Sequence, residues 1–123
     1  MNLQSLDHVA VSVRDVEVSA RWYLDVLGFR RQHDEVWGGH PIFVGNDSAA
    51  VALFPVRGNG KSASAVRILH FAFRTDREGF VASQQELKNR GIDFEFQDHE
   101  IAHSIYFHDP DGHEIEITTY ELE

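Results

Sequence analysis

The sequence of 123 residues contains no cysteine. Disulfide bonds, thiolate zinc sites and a cysteine nucleophile are therefore excluded. A chain without thiols fits a reducing compartment, and we expect a cytoplasmic protein. Any catalytic or metal-binding chemistry has to come from the side chains of histidines, carboxylates, hydroxyls or amines.

Long apolar runs and an excess of positive charge are also missing. No apolar stretch approaches the length needed to cross a bilayer, and the N-terminal MNLQSLDHVAVSV lacks the basic segment and apolar core of a secretion signal. Eleven basic residues face twenty acidic ones, which gives a formal charge of -9. We therefore expect neither a membrane nor nucleic acid as partner. Small molecules stay open as partners, because a local pocket can differ in sign from the whole surface.

What the sequence does contain is an internal repeat. Both halves follow the order strand, helix, strand, strand, strand. The histidines His8 and His70 lie on the opening strands 62 positions apart, and the helix-ending glycines Gly28 and Gly91 are 63 positions apart. We therefore expect an α+β fold built from two similar βαβββ modules.

The two halves are separated by RGNGKSASA at residues 57–65, whose glycines, serines and charges carry no apolar period. We place the modules at 1–57 and 66–123, with a linker at 58–65, within a single domain of 123 residues. A chain of this length can bury a core without disulfide staples.

Capping residues and hydrophobic periods predict the individual elements. Asp15 predicts the start of the first helix, and Thr75 with Glu78 has the spacing of a capping box at the second. Strands are expected at 6–13, 29–36, 41–44, 49–56, 66–74, 92–97, 103–108 and 114–120.

The last two predicted strands form a hairpin with chemically distinct faces. Residues 109–112 (DPDG) have the parts of a tight turn. Beyond the turn Ile115 and Ile117 alternate with Glu114 and Glu116, so one face is apolar and the other carries carboxylates. Taken alone, such a hairpin fits an antiparallel pair with a solvated acidic face.

Three side chains at matching positions of the repeat indicate a metal site. His8 and His70 lie on the less apolar faces of the opening strands, and Glu116 lies on the equivalent face of the last strand. Two imidazoles and one carboxylate can bind a divalent ion on one side and leave the other positions for water, substrate or dioxygen. These residue types suit Fe(II), Mn(II), Ni(II) or Zn(II). The first-half counterpart of Glu116 is Ala52.

With these residues the whole chain resembles the vicinal oxygen chelate superfamily, the group of glyoxalases, bleomycin-resistance proteins and extradiol dioxygenases. The resemblance rests on the segments LDHVAVSVRDVEVSARWYLDVLGF, ILHFAFRT and SIYFHDPDGHEIEI. It implies paired βαβββ modules that form a cup-shaped mixed sheet with helices on the outside, and a metal ion held by His8, His70 and Glu116. It also implies a homodimer, because paired modules in this family commonly complete the cup across a subunit interface.

The resemblance implies a metal-dependent enzyme that chelates vicinal oxygens, with an extradiol-type dioxygenase as the first reading and Fe(II) or Mn(II) as the favoured ion. The extradiol signature places a histidine before an apolar-Tyr pair, followed by Pro, Gly and Glu, and residues 99–116 fit it while Gln97 departs from it. By this resemblance His99 is an acid/base or oxygen-stabilising group, and Tyr106 donates to a substrate oxygen. Both residues also have a purely structural interpretation, with His99 as a solvated loop histidine and Tyr106 as a tyrosine packed in the sheet.

Three other readings stay open. SIYFHDPDGHEIE resembles the closing segment of fosfomycin-type thiol transferases, although Phe96 stands where those enzymes have a lysine, and Arg57, Arg67 and Arg74 would have to supply the positive charge. A glyoxalase-type lyase or isomerase is disfavoured because Ala52 replaces its fourth ligand. A protein that sequesters a ligand without turnover is the third.

Aromatic side chains of the first half are candidates for substrate binding. Trp37, Phe43 and Phe54 can line a pocket for an aromatic ring. Aromatic residues at such positions are more often part of the core.

Overall fold

Two compact units make up the chain, Met1–Ala65 and Val66–Glu123. The structure is a computed structural model that describes residues 1–2, 4–56 and 67–123, so the predicted linker at 58–65 lies outside the described residues. Each unit contains a four-stranded mixed sheet and a long helix, in the order βαβββ apart from one extra helical turn. The predicted α+β class with two tandem βαβββ modules is therefore confirmed.

The first unit has a sheet in the order β1-β4-β3-β2. Its β1 pairs with β4 in parallel, and the other pairs are antiparallel. The elements are β1 (Val9–Val13), α1 (Val16–Leu27), β2 (Arg30–Gln32), α2 (Asp34–Trp37), β3 (Ile42–Gly45) and β4 (Ala50–Pro55).

The helix α1 begins and ends where the sequence predicts. The carboxylate of Asp15 accepts hydrogen bonds from the backbone N–H groups of Glu17 and Val18 at 3.1 Å each. Gly28 ends the helix with a φ of 69°, in the left-handed region that glycine adopts without strain. The helix packs against β3 and β4 and buries Tyr23 completely.

The second unit has the corresponding sheet order β5-β8-β7-β6. Its β5 pairs with β8 in parallel, and β7 joins β6 and β8 in antiparallel fashion. The elements are β5 (Phe71–Arg74), α3 (Arg77–Asn89), β6 (Glu95–Asp98), β7 (His103–His108) and β8 (Glu114–Thr119).

The hairpin of β7 and β8 has the predicted faces. Ile105, Phe107 and Ile115 are fully buried on the apolar face, in the unit whose helix α3 buries Phe80. In the turn, the Asp109 carboxylate accepts hydrogen bonds from the backbone N–H groups at 111 and 113, both at 2.9 Å. None of the helices in the described part of the chain is long and apolar enough to span a membrane.

The strand predicted at 29–36 is wrong in its second half. The strand β2 ends at Gln32, and α2 follows it as a single helical turn. His33 has a φ of 63°, which lies outside the extended region and ends the strand. The side chain of Arg31 then turns back to the Asp34 carboxylate, with Nε 2.8 Å from Oδ2.

Two details at element starts also differ from the prediction. The cap of α3 is Asp76 and not Thr75, because the Asp76 carboxylate accepts from the backbone N–H of Gly79 at 2.8 Å. The backbone N–H of Thr75 instead donates to the carbonyl of Thr118. His8 and His70 do not lie within strands: each directly precedes its strand, because the ladders with β4 and β8 begin at the next residue.

Candidate metal centre

The polar face of the second unit places Glu116 at the centre of a row of paired residues. Glu116 of β8 pairs with Ala72 of β5 on one side and with Tyr106 of β7 on the other. Cross-strand partners share a face of the sheet, so these side chains lie on the face opposite Ile115. The carboxylate, the phenol and the methyl group are therefore neighbours by register alone.

The Glu116 carboxylate is buried, with 9% of the residue exposed, and both of its oxygens have partners. Oε1 lies 3.0 Å from Nε2 of His70, and Oε2 accepts a hydrogen bond from the Ser104 hydroxyl at 2.6 Å. Buried charges are costly unless they are paired or coordinate a metal. Two donor atoms bound at right angles to one ion, with bonds of about 2.1 Å, lie about 3 Å apart. The donor types and the spacing of His70 and Glu116 therefore fit one divalent ion.

His70 contacts side chains through both ring nitrogens. Its Nδ1 lies 3.6 Å from Oε1 of Glu114, on the opposite side from the nitrogen that faces Glu116. The ring also meets the edge of Tyr106, with centroids 5.6 Å apart. A carboxylate beside the outer nitrogen of a metal-binding histidine orients the ring and favours the tautomer that leaves the inner nitrogen free.

Tyr106 is held in its protonated form. Burial raises the pKa of the Tyr106 phenol, and the negative charge of Glu116 raises that pKa further. Its hydroxyl oxygen lies 3.0 Å from Nε2 of the exposed His99. The two residues that the sequence singles out for acid-base chemistry are therefore in hydrogen-bonding contact, with the phenol able to act as donor at neutral pH.

His8, the third predicted ligand, belongs to the first unit. Its Nδ1 lies 2.7 Å from Oδ2 of Asp7, and its ring packs against Phe43 with centroids 5.0 Å apart. Within residues 1–2, 4–56 and 67–123, no group of three or more histidine and carboxylate side chains is arranged so that it could hold a metal ion by itself. The structure thus brings His70 and Glu116 together, and the participation of His8 stays a prediction.

The first unit repeats the same row of paired residues without the acid. Ala52 of β4 pairs with Ala10 of β1 and with Phe43 of β3, as Glu116 pairs with Ala72 and Tyr106. Ala52 is completely buried. The register agrees with Ala52 as the counterpart of Glu116, and it adds Phe43 as the counterpart of Tyr106.

Two of the aromatic residues predicted to bind substrate lie together. The rings of Trp37 and Phe43 have centroids 5.0 Å apart, and His33 packs against both at 4.9 and 5.7 Å. His33 and Phe43 also line a pocket of ≈ 240 Å³ in the first unit. Phe54 follows Ala52 by two residues on β4, so it lies on the same face, and it is exposed.

Most of the chain matches a known protein family. Residues 5–117 match the family described as the Glyoxalase/Bleomycin resistance protein/Dioxygenase superfamily. The chain belongs to this superfamily.

Relatives within the superfamily carry different activities. Metallothiol transferase FosB of Staphylococcus epidermidis is 30% identical over 127 residues, covering 99% of this chain and 86% of the relative. Biphenyl-2,3-diol 1,2-dioxygenase 3 of Rhodococcus globerulus is 28% identical over 119 residues, covering 91% of this chain and 61% of the relative. The solved structure of a glyoxalase/dioxygenase from Nostoc punctiforme shares the fold, with a TM-score of 0.79, 24% identity and coverage of 99% and 94%.

Two residues of the polar face contact the predicted ligands, although the sequence analysis assigned neither of them a role in the site. Ser104 is fully buried against Glu116, and Glu114 lies beside the outer nitrogen of His70. The register of the predicted hairpin contained the signal, because Ser104 lies two residues before Tyr106 and Glu114 lies two residues before Glu116. Both therefore have to share the face of the predicted ligand.

Proposed function

We propose that the protein is a divalent-metal-dependent enzyme that acts on a small molecule with neighbouring oxygen atoms. The observation that carries this proposal is the buried Glu116 carboxylate, which faces Nε2 of His70 at 3.0 Å. A buried carboxylate beside an imidazole is costly for folding and useful for holding an ion.

His70 and Glu116 would hold the ion, and His8 is proposed as the third ligand. Fe(II) or Mn(II) is favoured, while Zn(II) and Ni(II) suit the same nitrogen and oxygen donors. When bound, the metal supplies Lewis acidity and a template for two substrate oxygens. The relative named metallothiol transferase supports a metal for this chain.

Extradiol-type ring opening is the first candidate reaction, and its support is the chemistry of the side chains around the pair. Tyr106 is proposed to donate to a substrate oxygen, and His99, which lies 3.0 Å from the Tyr106 hydroxyl, is proposed as the base that takes a proton from a catechol hydroxyl group. Both atoms of dioxygen would end in the ring-opened product, so no further reductant is required. The similarity to biphenyl-2,3-diol 1,2-dioxygenase 3 supports this reading.

Thiol transfer to an epoxide of the fosfomycin type is the second candidate. Its support is the similarity to metallothiol transferase FosB over 99% of the chain. An anionic phosphonate would need cationic partners, but Phe96 stands at the expected lysine position. Of the candidate arginines, Arg57 lies outside the described residues, and Arg74 lies over the Tyr120 ring at 4.6 Å.

The decisive experiment measures metal content by elemental mass spectrometry on anaerobically purified protein, followed by oxygen uptake with a panel of catechols. Iron or manganese near one per chain, with oxygen consumption, would support the dioxygenase. Metal without oxygen uptake, together with thiol addition to fosfomycin, would replace it by the thiol transferase. Protein without metal that still binds small molecules would contradict both and leave a ligand-sequestering protein.

We also propose a homodimer. The support is the superfamily resemblance, in which paired modules commonly complete the cup across a subunit interface. On this proposal His8 of one copy joins His70 and Glu116 of the other. Subunit mixing, described below, separates this arrangement from a site completed within one chain.

A further inference from the structure

Ser104 is a fully buried hydroxyl on the polar face of the second unit. It lies on β7, two residues before Tyr106, and pairs with Thr118 of β8. A buried serine in a strand needs a hydrogen-bond partner, because an unsatisfied hydroxyl costs folding free energy. The hydrogen-bond partners of Ser104 therefore indicate why a polar residue stands at this buried position.

The Ser104 hydroxyl donates a short hydrogen bond to Glu116. The distance from Oγ to Oε2 of Glu116 is 2.6 Å, which is typical of an O–H donor facing an ionised carboxylate. The Thr118 hydroxyl oxygen lies 3.0 Å from the same Oγ as a second acceptor, and the Thr118 hydroxyl itself donates to the carbonyl of His103 at 3.4 Å. The shorter contact to the charged acceptor is the stronger of the two hydrogen bonds, so Ser104 is aimed at one oxygen of the carboxylate.

The two oxygens of Glu116 consequently have separate partners. Oε2 faces Ser104, and Oε1 lies 3.0 Å from Nε2 of His70. A carboxylate can bind an ion through one oxygen or through both. The hydrogen bond from Ser104 takes one lone pair of Oε2 and draws on its charge, which weakens Oε2 as a second donor and favours binding through Oε1 alone.

Resting on the metal-dependent function proposed above, we propose that Ser104 is a positioning residue that keeps Glu116 a one-oxygen metal ligand. A carboxylate that binds through one oxygen fills one coordination position of the ion. The coordination position that the second oxygen would fill then stays available for a substrate oxygen. Partners that orient metal ligands typically contribute about 10- to 100-fold to metal affinity.

The test compares Ser104→Ala with Ser83→Ala. Ser83 is a matched control on α3, since its hydroxyl also donates a hydrogen bond, to the carbonyl of Gly79 at 2.8 Å. We expect Ser104→Ala to weaken Mn²⁺ binding by about 10- to 100-fold, measured by competition with a chelator, and Ser83→Ala to leave it unchanged.

Binding of a second ion, Ca²⁺, distinguishes a role of Ser104 in positioning Glu116 from general damage to the fold. Ca²⁺ accepts carboxylates through both oxygens, so Ser104→Ala should weaken Ca²⁺ binding less than Mn²⁺ binding. A merely structural serine would lower both affinities by the same factor, and that result would overturn the proposal. Equal Mn²⁺ affinity of the two alanine variants would overturn it as well.

Ser104→Cys provides a variant of nearly unchanged volume should the alanine variant fail to fold. Its weak S–H donor should give the same selective loss of Mn²⁺ affinity. Wild-type protein that binds neither Mn²⁺ nor Ca²⁺ would overturn the metal-dependent function itself, which distinguishes the failure of that proposal from the failure of the role of Ser104.

Discussion

The two units share one strand register and differ in what they place on it. In the first unit Ala52 pairs with Phe43, and in the second unit Glu116 pairs with Tyr106. The neighbouring positions on the other face are alike, since Val51 and Ile115 are both buried and apolar. The repeat has therefore kept the face that builds the core and has changed the face that carries chemistry.

Alternation along a strand explains how the two faces can differ so freely. Successive side chains point to opposite sides of a sheet, so a residue can be exchanged on one face while its neighbour continues to pack in the core. A buried carboxylate then needs local partners, and the second unit supplies His70 and Ser104. The difference between the units can be tested by removing these polar groups one at a time.

The largest effect is expected from Glu116→Ala, which makes the second unit resemble the first. The variant should no longer hold one metal ion per chain. Its metal affinity should fall by more than the roughly 100-fold expected when a residue that orients a ligand is removed, because here the ligand itself is removed. Elemental mass spectrometry gives the metal content. Glu95→Ala is the control, since Glu95 pairs with Tyr106 in the same row but is exposed on β6. Full metal content in Glu116→Ala would end the assignment.

The next effect concerns His8, the ligand proposed from the first unit. His8→Ala and His70→Ala should each lose tight metal binding. If the site is shared between subunits, a mixed dimer of the two variants regains one intact site, because one copy keeps His8 and the other keeps His70 with Glu116. Two affinity tags isolate the mixed dimer for metal analysis. A mixed dimer without metal would place all three ligands in one chain.

A smaller effect is expected from Tyr106→Phe, which gives the second unit the aromatic residue of the first. Loss of the phenol donor should lower turnover by about 100-fold and leave the metal content unchanged. Tyr120→Phe is the matched control, because Tyr120 is exposed on the same unit. Equal turnover of Tyr106→Phe and wild type would return Tyr106 to a packing role.

The smallest effect is expected on stability, from replacing the N-cap residues of the two long helices. Asp15 accepts two backbone N–H groups at the start of α1, whereas Asp76 accepts one at the start of α3. Replacing either by alanine should lower the free energy of unfolding by about 1 kcal/mol, with the greater loss for Asp15→Ala. Urea denaturation measures both. A greater loss for Asp76→Ala would show that the number of capped groups does not set the difference.

Much of the fold could be predicted because its signals are local. The cap at Asp15, the glycine at Gly28 and the alternation around Ile115 each depend on a few neighbouring residues. The errors arose where local signals compete. The apolar pattern at 29–36 favours a strand, but the left-handed backbone of His33 ends it, and Asp76 displaces Thr75 as cap by a single position.

The candidate site could be predicted in its residue types and only partly in its geometry. The repeat offset pointed to His70 and Glu116, and the structure brings them within 3.0 Å. The hydrogen bond between Ser104 and Glu116 and the contact between His99 and Tyr106 depend on strand pairing across the sheet. Pairing brings together residues that are distant in the chain, so local periodicity does not report it.

The sequence by itself determined the α+β class and the doubling of the βαβββ unit. It also determined that, of the two equivalent positions of the repeat, only Glu116 carries a carboxylate, while Ala52 does not. These follow from periodicity and from spacing along the chain. The tertiary structure decided which oxygen of Glu116 faces His70 and which faces Ser104. It also raised the pKa of Tyr106 above its ordinary value, through burial and the charge of Glu116. Both outcomes depend on desolvation and on contacts across strands, which exist only once the sheet has formed.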